Sequence, residues 1–171
     1  CVERRKQKLR GRAEETQSKQ KDARQLAVSC LAICGVPANL KKLVEHLKVK
    51  FVKIEMPEGV SGLVVPDPYR DRFVLVVNGR MQYYHRRFTV AHELYHIICR
   101  TEHIAFRAFM NNNIEEERQA NIFATELLMP EYEVRNFYNK GCRSISEFCK
   151  YFKVSKAAMK IRLFNELGLP S

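Results

Sequence analysis

Arg87-Phe88-Thr89-Val90-Ala91-His92-Glu93-Leu94-Tyr95-His96 decides how this chain is read. With the next two apolar residues, Val90, Leu94, Ile97 and Ile98 recur at i, i+4, i+7 and i+8. That is the spacing of one buried face of an α-helix, which the pattern carries over residues 87–100. His92 and His96 stand one turn apart on nearly the opposite side. They are therefore not core histidines and must face solvent or a cleft. Two imidazoles one turn apart can share one zinc ion, and Glu93 lies beside them to take a proton from a water. H-E-x-x-H arises by chance in roughly one of a hundred chains of this composition, so the pattern needs support from elsewhere.

A catalytic zinc takes three protein ligands and keeps one position open. His46, His85 and His103 compete with the acids for the third place. A second strong helix is expected over residues 114–128, closed by Pro130. On it Glu117, Asn121, Ala124 and Leu128 form one stripe (i, i+4, i+7, i+11). A carboxylate on a stripe that turns apolar needs a partner, and a metal supplies one. Glu116 is the rival, in line with Ala120, Phe123 and Leu127. However, Asn113-x-x-Glu116 has the form of a capping box, which gives Glu116 a structural task. Glu115 falls with Gln119 and Glu126 on the polar side. Glu117 is thus the expected third ligand, and Asn121 is placed to hydrogen-bond the far nitrogen of a ligand histidine.

Outward from this helix pair, composition sets the frame. The chain has 171 residues, 46% hydrophobic and 29% charged, enough for one domain with a real core. Collagen, coiled coil and low-complexity sequence are excluded. The formal net charge is +11, but nine basic residues against four acidic ones fall within positions 1–25. The body is only mildly basic, which argues against a dedicated nucleic-acid binder. Six cysteines without a C-x-x-C read as reduced thiols of a cytoplasmic protein. No apolar run approaches the roughly 20 residues that span a bilayer, so no membrane partner is expected.

The remaining pattern predicts an α+β fold. Residues 1–22 read as a basic polar tail or frayed helix. Residues 23–34 are apolar at helical spacing and stop at Gly35 and Pro37. Asn39 is a plausible N-cap for a short helix presenting Leu40, Leu43, Val44 and Leu47. Strands are expected at 49–54, 63–65 and 73–77, in a small, mainly antiparallel sheet packed on the active-site helix pair. Residues 143–167 read as two helices around Lys153-Val154-Ser155, with a helix-turn-helix look. The expected organisation is a tail (1–22), a main domain (23–140) and C-terminal helices packed on it (141–171). Lys150, Lys153, Lys156, Lys160 and Arg162 are basic enough for weak DNA contact through 146–162. The competing reading of these residues is a helical hairpin with a solvated charged face.

Three ordered segments carry a family resemblance: Arg87 to His96, Glu117-Arg118-Gln119-Ala120-Asn121-Ile122-Phe123-Ala124, and Leu127-Leu128-Met129-Pro130. Together they resemble the ImmA/IrrE family of zinc metallopeptidases, and the likeness runs over about residues 25–169. It implies a thermolysin-like (gluzincin) site, one zinc per chain on His92, His96 and Glu117, with Glu93 as general base and Asn121 behind the ligands. Members of the family typically cleave a helix-turn-helix transcriptional repressor and so relieve repression of mobile-element, phage or stress genes. Tyr95 stands where the family usually has glycine; its ring would narrow the cleft or offer a hydroxyl. Tyr95, His103 and Arg86 are the candidates for a second donor to the transition state or a contact to substrate. The sheet could grip an extended substrate by backbone pairing. The alternative function is a non-catalytic DNA- or repressor-binding regulatory module, or a toxin–antitoxin component, on the same fold.

Overall fold

The computed structural model describes residues 22–102 and 114–169. The expected tail lies outside this range except at residue 22. In chain order the elements are α1 (22–34), α2 (Leu40–His46), β1 (Lys50–Ile54), β2 (Gly62–Pro66), β3 (Phe73–Asn78), α3 (Tyr83–Glu102), α4 (Ile114–Leu128), α5 (Glu131–Asn139), α6 (Ile145–Phe152) and α7 (Lys156–Lys160). A wider π-type turn, Ile161–Glu166, extends α7. Its Leu167 N–H reaches back five residues to the Arg162 carbonyl at 3.0 Å.

The α+β class holds, but the sheet is mixed rather than mainly antiparallel. Its order is β1-β3-β2, with β1 parallel and β2 antiparallel to β3. The reason lies in Phe73-Val74-Leu75-Val76-Val77, the most continuous apolar run of the three. A strand apolar on both faces belongs in the middle. Leu75 and Val77 are wholly buried there, whereas β1 at the edge leaves Phe51 47% and Ile54 49% exposed. Asn78 is buried and holds the β1–β2 connection. Its amide donates to the carbonyls of Met56 (3.2 Å) and Val60 (2.9 Å), and its Oδ1 accepts from the Met56 and Arg80 N–H groups.

One hydrophobic cluster runs from Ala23 to Leu167 and joins the sheet, the α3–α4 pair and the C-terminal helices. Val90, Leu94, Ile97 and Ile98 are all buried in it, as their spacing predicts. The α2 start is at Asn39 as expected, though its side chain makes no capping bond. By contrast, Ser144 and Ser155 do cap α6 and α7, accepting from the N–H groups of Glu147 and Ala158. Between them Lys153 adopts a left-handed conformation (φ 56°) that turns the chain.

The helix α5 escaped the sequence reading because Pro130 was read only as the end of α4. Proline also suits a helix start, since its missing N–H costs nothing there. Phe137 of α5 stacks on Tyr151 at 4.9 Å and meets Phe148 edge-on at 5.1 Å. This aromatic cluster seats α6 against α5.

The polar side assigned to α4 is also corrected. Gln119 and Glu126 are buried. Glu126 forms an ion pair with Arg162, itself 1% exposed, and also bonds Arg24. Arg162 further donates to the Met129 carbonyl (3.0 Å) and to Glu166 Oε2 (2.8 Å). Arg162 is therefore unavailable to a phosphate, which weakens the expected DNA contact through 146–162. Lys150, Lys153, Lys156 and Lys160 are exposed.

Candidate metal centre

The longest helix among the described residues, α3, runs beside α4, and each brings one stripe to the shared groove. His92 and His96 come from α3; Glu117 and Asn121 come from α4. Among the described residues, the donor atoms of His92, His96 and Glu117 lie within 4.8 Å of one another. His92 Nε2 is 3.3 Å from His96 Nε2. Glu117 Oε2 is 3.2 Å from the first, and Glu117 Oε1 is 3.3 Å from the second.

The outer ring nitrogens set what these atoms can do. His92 Nδ1 is 3.0 Å from Asn121 Oδ1, an acceptor. His96 Nδ1 is 3.0 Å from Glu116 Oε1, also an acceptor. In a neutral ring an acceptor at Nδ1 favours the proton there and leaves the lone pair on Nε2. In that tautomer two nitrogen lone pairs and two carboxylate oxygens converge. Such a donor set is repulsive alone and is satisfied by a cation. Two histidines, one glutamate and an open side match the requirements of a catalytic zinc site.

The orienting contact from Glu116 was not foreseen. Its signal was present in the stripe it shares with Ala120, Phe123 and Leu127, which turns it towards α3. The Asn113 half of the expected capping box lies outside the described residues. Outer partners that fix a ligand imidazole are commonly worth 10–100-fold in metal affinity. Asn121→Ala is accordingly expected to weaken zinc binding by about 10–100-fold while the fold stays intact. Competition against a chelating dye measures it, and unchanged affinity would deny Asn121 this part.

The other expected site residues are placed as follows. Glu93 follows His92 on α3 and is half-buried. Tyr95 packs into the core cluster, 5.6 Å from the Phe123 ring and 5.9 Å from the His96 ring. Burial first, and then the neighbouring Cys99, pushes its phenol above the usual range. Its ring buttresses His96 from the core side. Arg86 donates to the carbonyls of Gly79 and Met81 and braces the turn between β3 and α3. His103 lies outside the described residues. His46 and His85 are exposed and do not join the cluster.

Residues 44–164 match the family model described as the IrrE N-terminal-like domain, Peptidase M78. A Mycobacterium tuberculosis transcriptional regulator of known structure is similar in fold, with a TM-score of 0.63 and 19% identity. The match covers 84% of this chain and 46% of that one, so the chain spans about half the length of this neighbour. No curated protein matches the chain significantly.

Proposed function

The chain belongs to the IrrE N-terminal-like family of M78 peptidases, and from that premise we propose that it is a zinc-dependent endopeptidase. The observation that carries this reading is the convergence of two imidazole Nε2 atoms and the Glu117 carboxylate, each imidazole oriented from behind by an acceptor.

In this reading His92, His96 and Glu117 hold the metal. Zinc, when bound, supplies a Lewis acid that polarises the scissile carbonyl and brings the pKa of a water towards neutrality. Glu93 accepts the proton of the attacking water on its carboxylate and passes it to the leaving amide nitrogen. Asn121 and Glu116 keep both rings in the tautomer that presents Nε2 inward. The substrate we propose is a partner helix-turn-helix repressor, in keeping with the family and with a regulator as structural neighbour. We place the reaction in the cytoplasm. Among the described residues the cysteines form no disulfide, and no described helix is long and apolar enough to cross a membrane. Residues 23–140 act as the peptidase domain, with 141–171 packed on it.

Metal stoichiometry is the deciding experiment. About one zinc per chain is expected by the two-histidine, one-glutamate geometry. His92→Ala/Glu117→Gln should abolish it. No metal after zinc reconstitution would sink the peptidase reading. Zinc binding without cleavage of any repressor would instead favour the regulatory module, which keeps the site and works by binding.

A further inference from the structure

We infer that the cavity between α2, β1 and the first turns of α3 binds a nucleoside diphosphate, with its phosphates on Arg87, Lys53 and Lys153 and its ring against Phe51 and Tyr83. The site is separate from the metal centre, and the inference stands whether or not the peptidase reading does.

Helical geometry separates the two places. Tyr83, Arg87 and Val90 recur at i, i+4 and i+7 and form one stripe of α3 that lines the cavity. At about 100° per residue, His92 and His96 fall on nearly the opposite side of the same helix. The cavity has a volume of about 840 Å3, within the range of pre-formed small-molecule sites. Its floor is apolar, since Leu40 and Val44 of α2 and Val90 of α3 line it and are buried.

The rim is basic. Among the described residues, Lys41, Lys53, Arg86, Arg87 and Lys153 line the cavity with Glu45 as the one carboxylate. Glu45 is taken up by Lys41 at 3.7 Å, and Arg86 by the carbonyls of Gly79 and Met81. That leaves Arg87, Lys53 and Lys153 with no carboxylate partner among the described residues. Arg87 is the anchor. One terminal nitrogen donates to the Ala38 carbonyl at 3.0 Å, which fixes the guanidinium. Its Nε is buried and has no acceptor among the described residues. Buried donors are almost always paired, so an unpaired one in a cavity wall points to an acceptor that comes with a ligand. A phosphate takes a guanidinium through two parallel N–H bonds. Lys153 enters from the α6–α7 turn in a left-handed conformation (φ 56°), which glycine adopts at lower cost. Lysine in that position brings the cavity a charge that glycine would not.

The walls supply the other half of the ligand. Phe51 and Tyr83 line the cavity and are half exposed. Phe51 shares one face of β1 with Lys53 (i, i+2). The Arg87 guanidinium carbon lies 6.0 Å from the Tyr83 ring centre. Ring and cation are thus neighbours on both walls. Bases of every kind stack on such rings, so the walls take a planar heterocycle while the cations take its phosphates. A free phosphate would gain nothing from the rings and the apolar floor, and an apolar ligand nothing from the cations.

The test is isothermal titration of the zinc-loaded full chain with ADP, GDP, CDP and UDP in turn. At least one should bind once per chain, about tenfold more tightly than inorganic phosphate or its own nucleoside, because the two halves are joined. Lys53→Ala, Lys153→Ala and Tyr83→Ala should each weaken it about tenfold, the worth of one charge-assisted bond or one stacked ring. All three positions are exposed, and circular dichroism checks that the variants are folded. His92→Ala/Glu117→Gln should bind the nucleotide as the wild type does, because no phosphate can then reach a zinc. In the wild type the Leu40 and Val44 methyl resonances should shift on titration and that of Leu128 should not. Affinity no better than that of phosphate, or unchanged in all three single variants, overturns the inference. Loss of binding in His92→Ala/Glu117→Gln also overturns it and places the ligand on the metal. Tighter binding of a single-stranded oligonucleotide or a glutamate-rich peptide, weakened by the same three substitutions, overturns it in favour of a macromolecular partner.

Discussion

Under the proposed function, protein carrying Glu93→Gln is expected to hold the same zinc as the wild type and to cleave the proposed repressor substrate at least about 10²–10⁴-fold more slowly, the usual worth of a positioned general base. Glutamine has nearly the shape of glutamate but cannot accept and return a proton. The proposed metal donors are other residues, namely His92, His96 and Glu117, whose atoms already converge. Binding and chemistry therefore separate in this one variant. Zinc analysis and a single-turnover cleavage assay read the two independently. Wild-type cleavage would remove Glu93 from the mechanism. Loss of zinc would show instead that this half-buried carboxylate supports the metal site.

The second large effect is on stability. Arg162→Met should destabilise the fold by about 3–5 kcal/mol, because it leaves the buried Glu126 carboxylate with only the more distant, part-exposed Arg24 as counter-charge. The two side chains are 1% and 6% exposed, so water cannot take the place of the lost guanidinium. The same change frees the Met129 carbonyl and Glu166, which tie the end of α4 to the π turn. Replacing both partners, as Glu126→Leu/Arg162→Met, should recover part of the loss, since no lone charge is left. Recovery is incomplete because Glu126 Oε1 also accepts from the Glu131 N–H at 2.9 Å. Urea denaturation of the two single variants and the double variant measures the coupling. A loss below about 1 kcal/mol in Arg162→Met would mean that Arg24, already 3.4 Å from Glu126, suffices as its partner.

Much of the site was legible before any coordinates because its information is local. His92 and His96 share a face by helical periodicity alone, and so do Glu117 and Asn121. Once two helices are recognised, a metal is the simplest reason for these residues to look at one another. The contact of Glu116 with His96 was not legible for an equally physical reason. A carboxylate in the first turn of a helix can cap it or reach a neighbour, and spacing does not separate the two. Arg162 was misread because an arginine among exposed lysines has the same pattern whether it is solvated or paired. Only Glu126, thirty-six residues earlier, distinguishes them.

The sequence by itself determined helix α3, its histidine face, the carboxylate stripe opposite and the turn at Lys153. Each rests on a repeat of three or four residues, within the reach of backbone geometry. Tertiary structure alone decided that β3 enters between β1 and β2, that Glu116 holds His96, and that Arg162 is buried against Glu126. It also decided that the C-terminal segment, through Ala158 and Ile161, lines a cavity with Thr89 of α3 and Thr125 of α4. Those outcomes depend on which distant surfaces bury each other. That is settled by the summed loss of water from the whole chain, which no local window contains.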